Sequence, residues 1–366
     1  MSDVVLDGLD YPVVFCEDAA ASLPRLIVRG RSAPRALFIA DRRLGPRARA
    51  CALALTRAGA RVIGVRLLRG GERCKSVASL DTLWQLFAAL RADRSTLVVA
   101  LGGGTITDVA GFAAATYMRG LPWAAVATTV LGMADAAIGG KTAIDLAAGK
   151  NLAGAFWPPR AVLADLKALG TLPLVQRATG LAEIVKAAIV GDPALLDAVE
   201  SFDAARGTQE SWAQLIVRAA AVKVNLVASD PYDRGPRAAL NLGHTVGHAL
   251  EHVAAGRLSH GAAVSVGLRA AGLLALGAGM YSAQEHARVL RALARSGLPL
   301  SWSGARRVVA VEKALALDKK RDDGTIRFVL PERLGSVRIG VAVEPSVLRT
   351  VIKQCAAPPQ SEEFMK

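Results

Sequence analysis

The strongest constraint on this chain is a change of rhythm along its length. Up to about residue 130, short apolar runs alternate with stretches of helical periodicity; past about residue 175, helical periodicity dominates. Arg35-Ala-Leu-Phe-Ile-Ala-Asp41 reads as a buried strand, residues 46–58 as a helix ended by Gly59, and Arg61-Val-Ile-Gly-Val-Arg-Leu-Leu68 as a second strand. Residues 79–91 read as a helix with Ser79 and Asp81 as candidate caps. Ser95-Thr-Leu-Val-Val-Ala-Leu101 reads as a third strand and runs straight into Gly102-Gly-Gly104. A helix over 108–118 and a strand over 123–127 follow. Such βαβ units predict a Rossmann-like α/β domain, with a mainly parallel sheet and helices on both faces.

Helices are expected near 176–190, 193–204, 210–229, 236–255, 260–279, 283–296 and 306–317. Two short β-like segments, 325–330 and 336–340, come near the end, and the polar tail after Cys355 reads as fraying. The expected division is an α/β domain over 1–174 and an all-α domain over 175–366. Ligands are expected in a cleft between them.

Composition narrows the function classes. With 52% apolar and 21% charged residues, the chain has ample material for buried cores. No run reaches the ~18 uncharged apolar residues that span a bilayer, and the N-terminus lacks the basic-then-apolar order of a signal peptide. The four cysteines are scattered without a Cys-x-x-Cys, which points to a reducing cytoplasm and away from a thiolate metal site. The net charge of +14 comes without a long basic run or basic–aromatic interleaving, so nucleic acid is not the expected partner. An anionic small molecule would be drawn in by the same field.

Three stretches carry candidate chemistry. In Asn241-Leu-Gly-His244-Thr-Val-Gly-His248-Ala-Leu-Glu251, two of the chain's five histidines lie four apart, on one face of a helix. His260 follows in Ser-His-Gly, and Glu183 precedes in Gly-Leu-Ala-Glu-Ile-Val-Lys. One Glu and two His suffice to hold a zinc-like ion with a position left open. Spacing does not decide which histidine binds metal and which moves protons. Thr245 stands where a metalloprotease helix has Glu. Gly102-Gly-Gly-Thr105 sits between a strand and a helix, where glycines let backbone approach a phosphate; Thr107 replaces the third glycine of the full fingerprint. The stretch 134–151 holds Gly139-Gly-Lys141 and Gly149-Lys-Asn151, and reads either as a phosphate-binding loop or as a flexible surface loop. Asp318-Lys-Lys-Arg321 alone reads as a solvated charge run.

Taken together, these segments resemble the 3-dehydroquinate synthase family of sugar phosphate cyclases. The resemblance runs from about residue 35 to 340, and its most specific stretches are Gly102 to Gly120, Gly139-Gly-Lys141-Thr, Gly149-Lys-Asn151, Gly180 to Lys186, Asn241 to His248 and His260-Gly. It implies a Rossmann-like NAD domain followed by a helical metal domain, with NAD and a divalent metal, zinc or cobalt, as cofactors. It also implies the reaction: 3-deoxy-arabino-heptulosonate 7-phosphate is cyclised to 3-dehydroquinate with loss of phosphate. In such a cycle a ring hydroxyl is oxidised, the new ketone acidifies the neighbouring C–H, phosphate is eliminated, hydride returns, and an aldol step closes the carbocycle.

Carried over position by position, the resemblance makes Glu183, His244 and His260 the metal ligands. It puts His248 beside the phosphate as proton carrier, with Lys141, Asn151 and one of Lys319 and Lys320 also holding phosphate. Arg119 would reach a neighbouring subunit's phosphate site, so a homodimer is implied. Lys223 and Arg237 would clamp the substrate carboxylate. Asp135, Lys186 and Asn241 would contact the rest of the substrate. The matching NAD positions are Asp41, Glu72, Lys75, Gly103, Gly104, Asp108, Thr128, Thr129 and Lys150.

The chain departs from the family pattern at Ala136 and Ala137, where serines are usual, at Asp145 for Asn, at Ala262 for Glu, and at Pro231 for an acidic residue. These changes bear on fine tuning and on which sugar phosphate is used. The rival readings are a secondary-metabolic cyclase of the amino-dehydroquinate type and a glycerol-dehydrogenase-like oxidoreductase. Valiolone and inosose cyclases use substrates without a carboxylate, so the Lys223–Arg237 pair speaks against them.

Overall fold

The computed structural model describes residues 3–28, 34–302, 307–319, 326–360 and 362–365. It divides into two compact units, Met1–Leu172 and Pro173–Lys366.

The first unit contains strands β1 (Val4–Leu6), β2 (Val13–Cys16), β3 (Arg35–Asp41), β4 (Arg61–Leu68), β5 (Leu97–Gly102), β6 (Trp123–Ala127), β7 (Lys141–Leu146), β8 (Gly149–Phe156) and β9 (Val162–Asp165). Seven of them form one sheet in the order β1-β2-β9-β6-β5-β3-β4. Only the β1–β2 pair is antiparallel. Helices α1 (Ala19–Ile27), α2 (Gly45–Arg57), α3 (Val77–Ala89) and α4 (Gly104–Thr116) link the strands. Every residue of β5 and β6 is buried, the continuous apolar pattern that a parallel sheet covered on both faces imposes.

Several local expectations need correction. The helix expected from 108 starts at Gly104, because the glycine turn itself supplies the N-cap, Gly103. The helix expected from 79 starts at Val77, and its cap is neither Ser79 nor Asp81: the Ser76 side chain accepts from the Ser79 amide. Residues 134–151 are not a loop but a π-helical turn, Gly132–Ala136, followed by the antiparallel hairpin β7–β8.

The second unit is built from α5 (Leu174–Val190), α6 (Pro193–Ser201), α7 (Gln209–Ser229), α8 (His244–Ala254), α9 (His260–Gly277), α10 (Ala283–Arg295), α11 (Val308–Lys319), α12 (Pro345–Cys355) and α13 (Glu362–Met365). It also carries a hairpin, β10 (Arg327–Arg333) with β11 (Ser336–Ala342). The helix expected over 236–255 is broken. A 3-10 turn covers Pro236–Asn241, Gly243 takes a left-handed φ of 76°, and α8 starts afresh at His244. A side chain at Gly243 would also strike Leu268.

Helix α9 is the one helix among the described residues long and apolar enough to cross a membrane, and 78% of it is buried. A helix apolar on all sides is what a position at the centre of a helical layer requires. It crosses α8 at very close range, since a Cβ on Gly267 would lie 1.9 Å from the carbonyl oxygen of Gly243. The tail is anchored rather than frayed. Arg269, 1% exposed, donates from Nε and Nη2 to the Glu363 carboxylate at 2.9 and 2.7 Å, and from Nη1 to the carbonyls of Leu300 and Ala357.

Candidate active site

In the second unit, three elements deliver one donor set. Glu183 lies in α5 in a run buried from Gly180 to Val190. His244 is the first residue of α8, set by the Gly243 break. His260 is the first residue of α9, behind the Ser259 cap, whose side chain accepts from the Ala262 amide. One ligand atom from each of the three lies within 4.8 Å of the others. Glu183 Oε1 is 3.4 Å from His244 Nε2 and 3.1 Å from His260 Nε2. A tetrahedral ion with ~2.0–2.1 Å bonds holds neighbouring ligand atoms roughly 3.3 Å apart, so the spacing suits one such cation.

The surroundings fit the same purpose. His244 Nδ1 donates to the Leu242 carbonyl at 3.1 Å, which leaves the Nε2 lone pair for a metal. His260 Nδ1 faces Glu251 Oε2 at 3.5 Å, an acid–imidazole arrangement of the kind that orients metal-binding histidines. Glu251 is 6% exposed and carried no assigned role in the sequence; its position seven residues after His244 was the available signal. Lys186 Nζ sits 2.5 Å from Glu183 Oε2, so the carboxylate has one oxygen for the cation and one for the lysine. Burial works against the Glu183 charge, but Lys186 and the two histidines hold its pKa well below the usual carboxylate range. His248 is exposed and outside the triad, with its ring centroid 5.2 Å from that of His244 and 6.4 Å from that of His260.

Lys223 on α7 and Arg237 on the 3-10 turn are both buried, at 9% and 2% exposure. Arg237 Nη1 donates to the Pro231 carbonyl at 2.5 Å, and its amide donates to Asp230 Oδ2 at 3.2 Å. Asn241 is exposed at the end of that turn. Lys319 closes α11, and Lys320 lies outside the described residues.

In the first unit the glycine turn leads into α4 without a side-chain cap, and the Ile106 and Thr107 amides donate to the Gly103 carbonyl. A Cβ on Gly103 would come 3.0 Å from Thr129 Cγ2, and one on Gly104 would come 3.0 Å from Ala136 Cβ. Asp41 closes β3 and accepts from Arg43. Thr128 is buried at the end of β6, and its amide donates to the Gly102 carbonyl.

A second polar group gathers at the β7–β8 hairpin. Lys75, 5% exposed, donates to Asp108 Oδ2 at 2.6 Å and also to Asn151 Oδ1. The Asn151 amide donates to Asp145 Oδ1 at 2.9 Å, and Lys150 lies 3.2 Å from Glu72. Sequence assigned these residues to two different ligands; the structure joins Lys75, Asp108 and Asn151 in one network. Lys141 opens β7 and is exposed, Asp135 lies half-buried in the π-turn, and Arg119 is exposed with φ 65° next to Met118 at φ 51°.

Comparison with known proteins bears on the family. The family models for the 3-dehydroquinate synthase N-terminal and C-terminal regions match residues 65–179 and 180–321. The 3-dehydroquinate synthase of a Synechococcus strain is 39% identical over 302 residues, covering 81% of this chain and 82% of its own. That of Symbiobacterium thermophilum is 38% identical over 346 residues, covering 93% and 96%. A structure of ValA, the 2-epi-5-epi-valiolone synthase of Streptomyces hygroscopicus, with NAD+ and Zn2+ bound, superimposes with a TM-score of 0.85 at 25% identity, covering 97% and 99%.

A parallel nucleotide-type sheet and a helical unit with a Glu-His-His donor set place the molecule among the sugar phosphate cyclases in fold. Within that class, the chain belongs to the 3-dehydroquinate synthase family.

Proposed function

We propose that this protein is an NAD- and divalent-metal-dependent 3-dehydroquinate synthase. It cyclises 3-deoxy-arabino-heptulosonate 7-phosphate to 3-dehydroquinate and releases phosphate. The observation that carries the reading is the Glu183–His244–His260 set, with ligand atoms within 4.8 Å, in a chain 39% identical to a 3-dehydroquinate synthase. When bound, the metal would polarise substrate oxygens and NAD would accept and return hydride.

The chain's own residues supply position and charge. Lys223 and Arg237 face the substrate carboxylate, a task for which two buried cations are suited. Lys141 and Asn151, with Lys319 or Lys320, hold the phosphate, and His248 carries a proton to or from the phosphate oxygen. Asp135, Lys186 and Asn241 orient hydroxyls; Lys186, paired with Glu183, ties substrate position to the metal ligand. Arg119 completes the phosphate site of a second copy in a homodimer. In the first unit the amides at Gly103 and Gly104 take the dinucleotide phosphates, flanked by Thr128 and Thr129. Asp41, Glu72, Lys75, Asp108 and Lys150 hold the remainder.

The test is direct. Pure protein with NAD, zinc or cobalt and the heptulosonate phosphate should release phosphate and form the carbocycle in equal amounts. Absence of both, or steady release of NADH in place of a carbocycle, would refute the reading.

A further inference from the structure

The parallel sheet places one ion pair where nucleotide folds read the ribose. In a Rossmann-type sheet the phosphate turn follows one strand, and an acidic residue at the end of the neighbouring strand bonds the ribose 2′-hydroxyl; a 2′-phosphate requires a nearby arginine instead. Here the phosphate turn follows β5, and β3 is its parallel neighbour, with Ala40 level with Leu101. The next residue, Asp41, therefore stands level with Gly102 at the ribose-reading position.

That carboxylate is already engaged. Asp41 Oδ1 accepts from the Arg43 amide at 2.9 Å and from Arg43 Nε at 3.1 Å, while Oδ2 accepts from Arg43 Nη2 at 2.8 Å. The arrangement is lopsided: the Asp41 side chain is 9% exposed and that of Arg43 is 66% exposed. Gly70, beyond the end of the neighbouring β4, closes over the pair, since a Cβ there would lie 2.1 Å from Asp41 Oδ2. Arg42 is also exposed. A ribose arriving at this strand end meets an exposed guanidinium before it meets the buried carboxylate.

We infer that Arg43 is a specificity-determining residue of the dinucleotide site, and that this site accepts the 2′-phosphorylated dinucleotide as well as NAD. The inference rests on the proposed function, since it assumes that a dinucleotide occupies the β3–β5 crevice. With Nε and one Nη2 hydrogen held by Asp41, the guanidinium's remaining N–H groups, on Nη1 and the far side of Nη2, are left to donate to oxygens of a 2′-phosphate. The engaged Asp41 no longer presents the bare negative charge that repels such a phosphate.

The experiment is calorimetric titration of the full-length, metal-loaded protein with NAD+ and NADP+, in the parent and in the Arg43→Ala and Arg43→Lys variants. The readout is the ratio of the two dissociation constants, which is independent of turnover. For Arg43→Ala the NADP+/NAD+ ratio should rise by about tenfold, the loss of one charge-assisted phosphate contact, with Arg43→Lys intermediate. A ratio that changes less than about threefold in Arg43→Ala overturns the inference while leaving NAD binding and the proposed function standing. Failure of the parent protein to bind either dinucleotide overturns both.

Discussion

Glu251 Oε2 stands 3.5 Å from Nδ1 of His260, across the ring from the nitrogen that faces Glu183. The acid thus holds the ring by the edge that a metal does not use. Glu251→Gln should weaken metal binding by roughly 10–100-fold, the usual cost of losing an outer partner of a ligating histidine. Competition with a chromophoric chelator measures it. An unchanged metal dissociation constant would remove Glu251 from the site.

Close approach of α8 and α9 brings ligand atoms of His244 and His260 within 4.8 Å of each other, where one ion could be held. Gly267→Ala would press a methyl into the Gly243 carbonyl, 1.9 Å away in the present packing. We expect a loss of roughly 1–3 kcal/mol of stability, the scale of core overpacking, together with weaker metal binding. Denaturant unfolding and metal titration report the two effects separately. Normal values for both would show that the helices part without disturbing the ligands.

Lys223→Ala tests the carboxylate clamp. Substrate use should fall steeply, through KM as much as kcat, while bound metal stays near one ion per chain by elemental analysis. Parallel loss of metal and activity would mean that the lysine supports the helical unit and not the substrate.

His286 offers a test by pH. Burial lowers its pKa to about 4, with Glu363 opposing and Arg269 assisting. The unfolded chain therefore takes up this proton at a higher pH than the folded one, and stability falls as pH drops from about 6.5 towards 4. The contribution of this one group is on the order of 3 kcal/mol. Urea midpoints across that window should flatten in His286→Leu. An unchanged slope would place the acid sensitivity elsewhere.

Much of the first unit was legible because buried parallel strands are written as unbroken apolar runs. Strands β3, β4 and β6 fall where Arg35–Asp41, Arg61–Leu68 and Trp123–Ala127 place them. The β7–β8 hairpin was not, since β8 is largely exposed and its glycines imitate a loop. A single Gly243 hid the break before α8, as an isolated glycine barely disturbs helical periodicity. By spacing alone the donor set was legible in residue type but not in selection; the family resemblance supplied the choice of Glu183, His244 and His260. His244 and His248 share the spacing, yet only the packing of α5 and α9 brings His244 to Glu183. Glu251 and Arg43 escaped because their meaning comes from what lies opposite them in space.

Both imidazoles of the donor set open their helices, so each ring belongs to the positive end of a helix, α8 for His244 and α9 for His260. Each such end behaves as about half a positive charge. That polarity opposes a bare cation, and the Glu183 carboxylate together with the two imidazole lone pairs would have to offset it. An oxyanion brought to the cation reverses the balance, because the helix ends then attract what the metal attracts. Metal retention should therefore tighten when the anionic sugar phosphate is present, a change that metal titration with and without it would read.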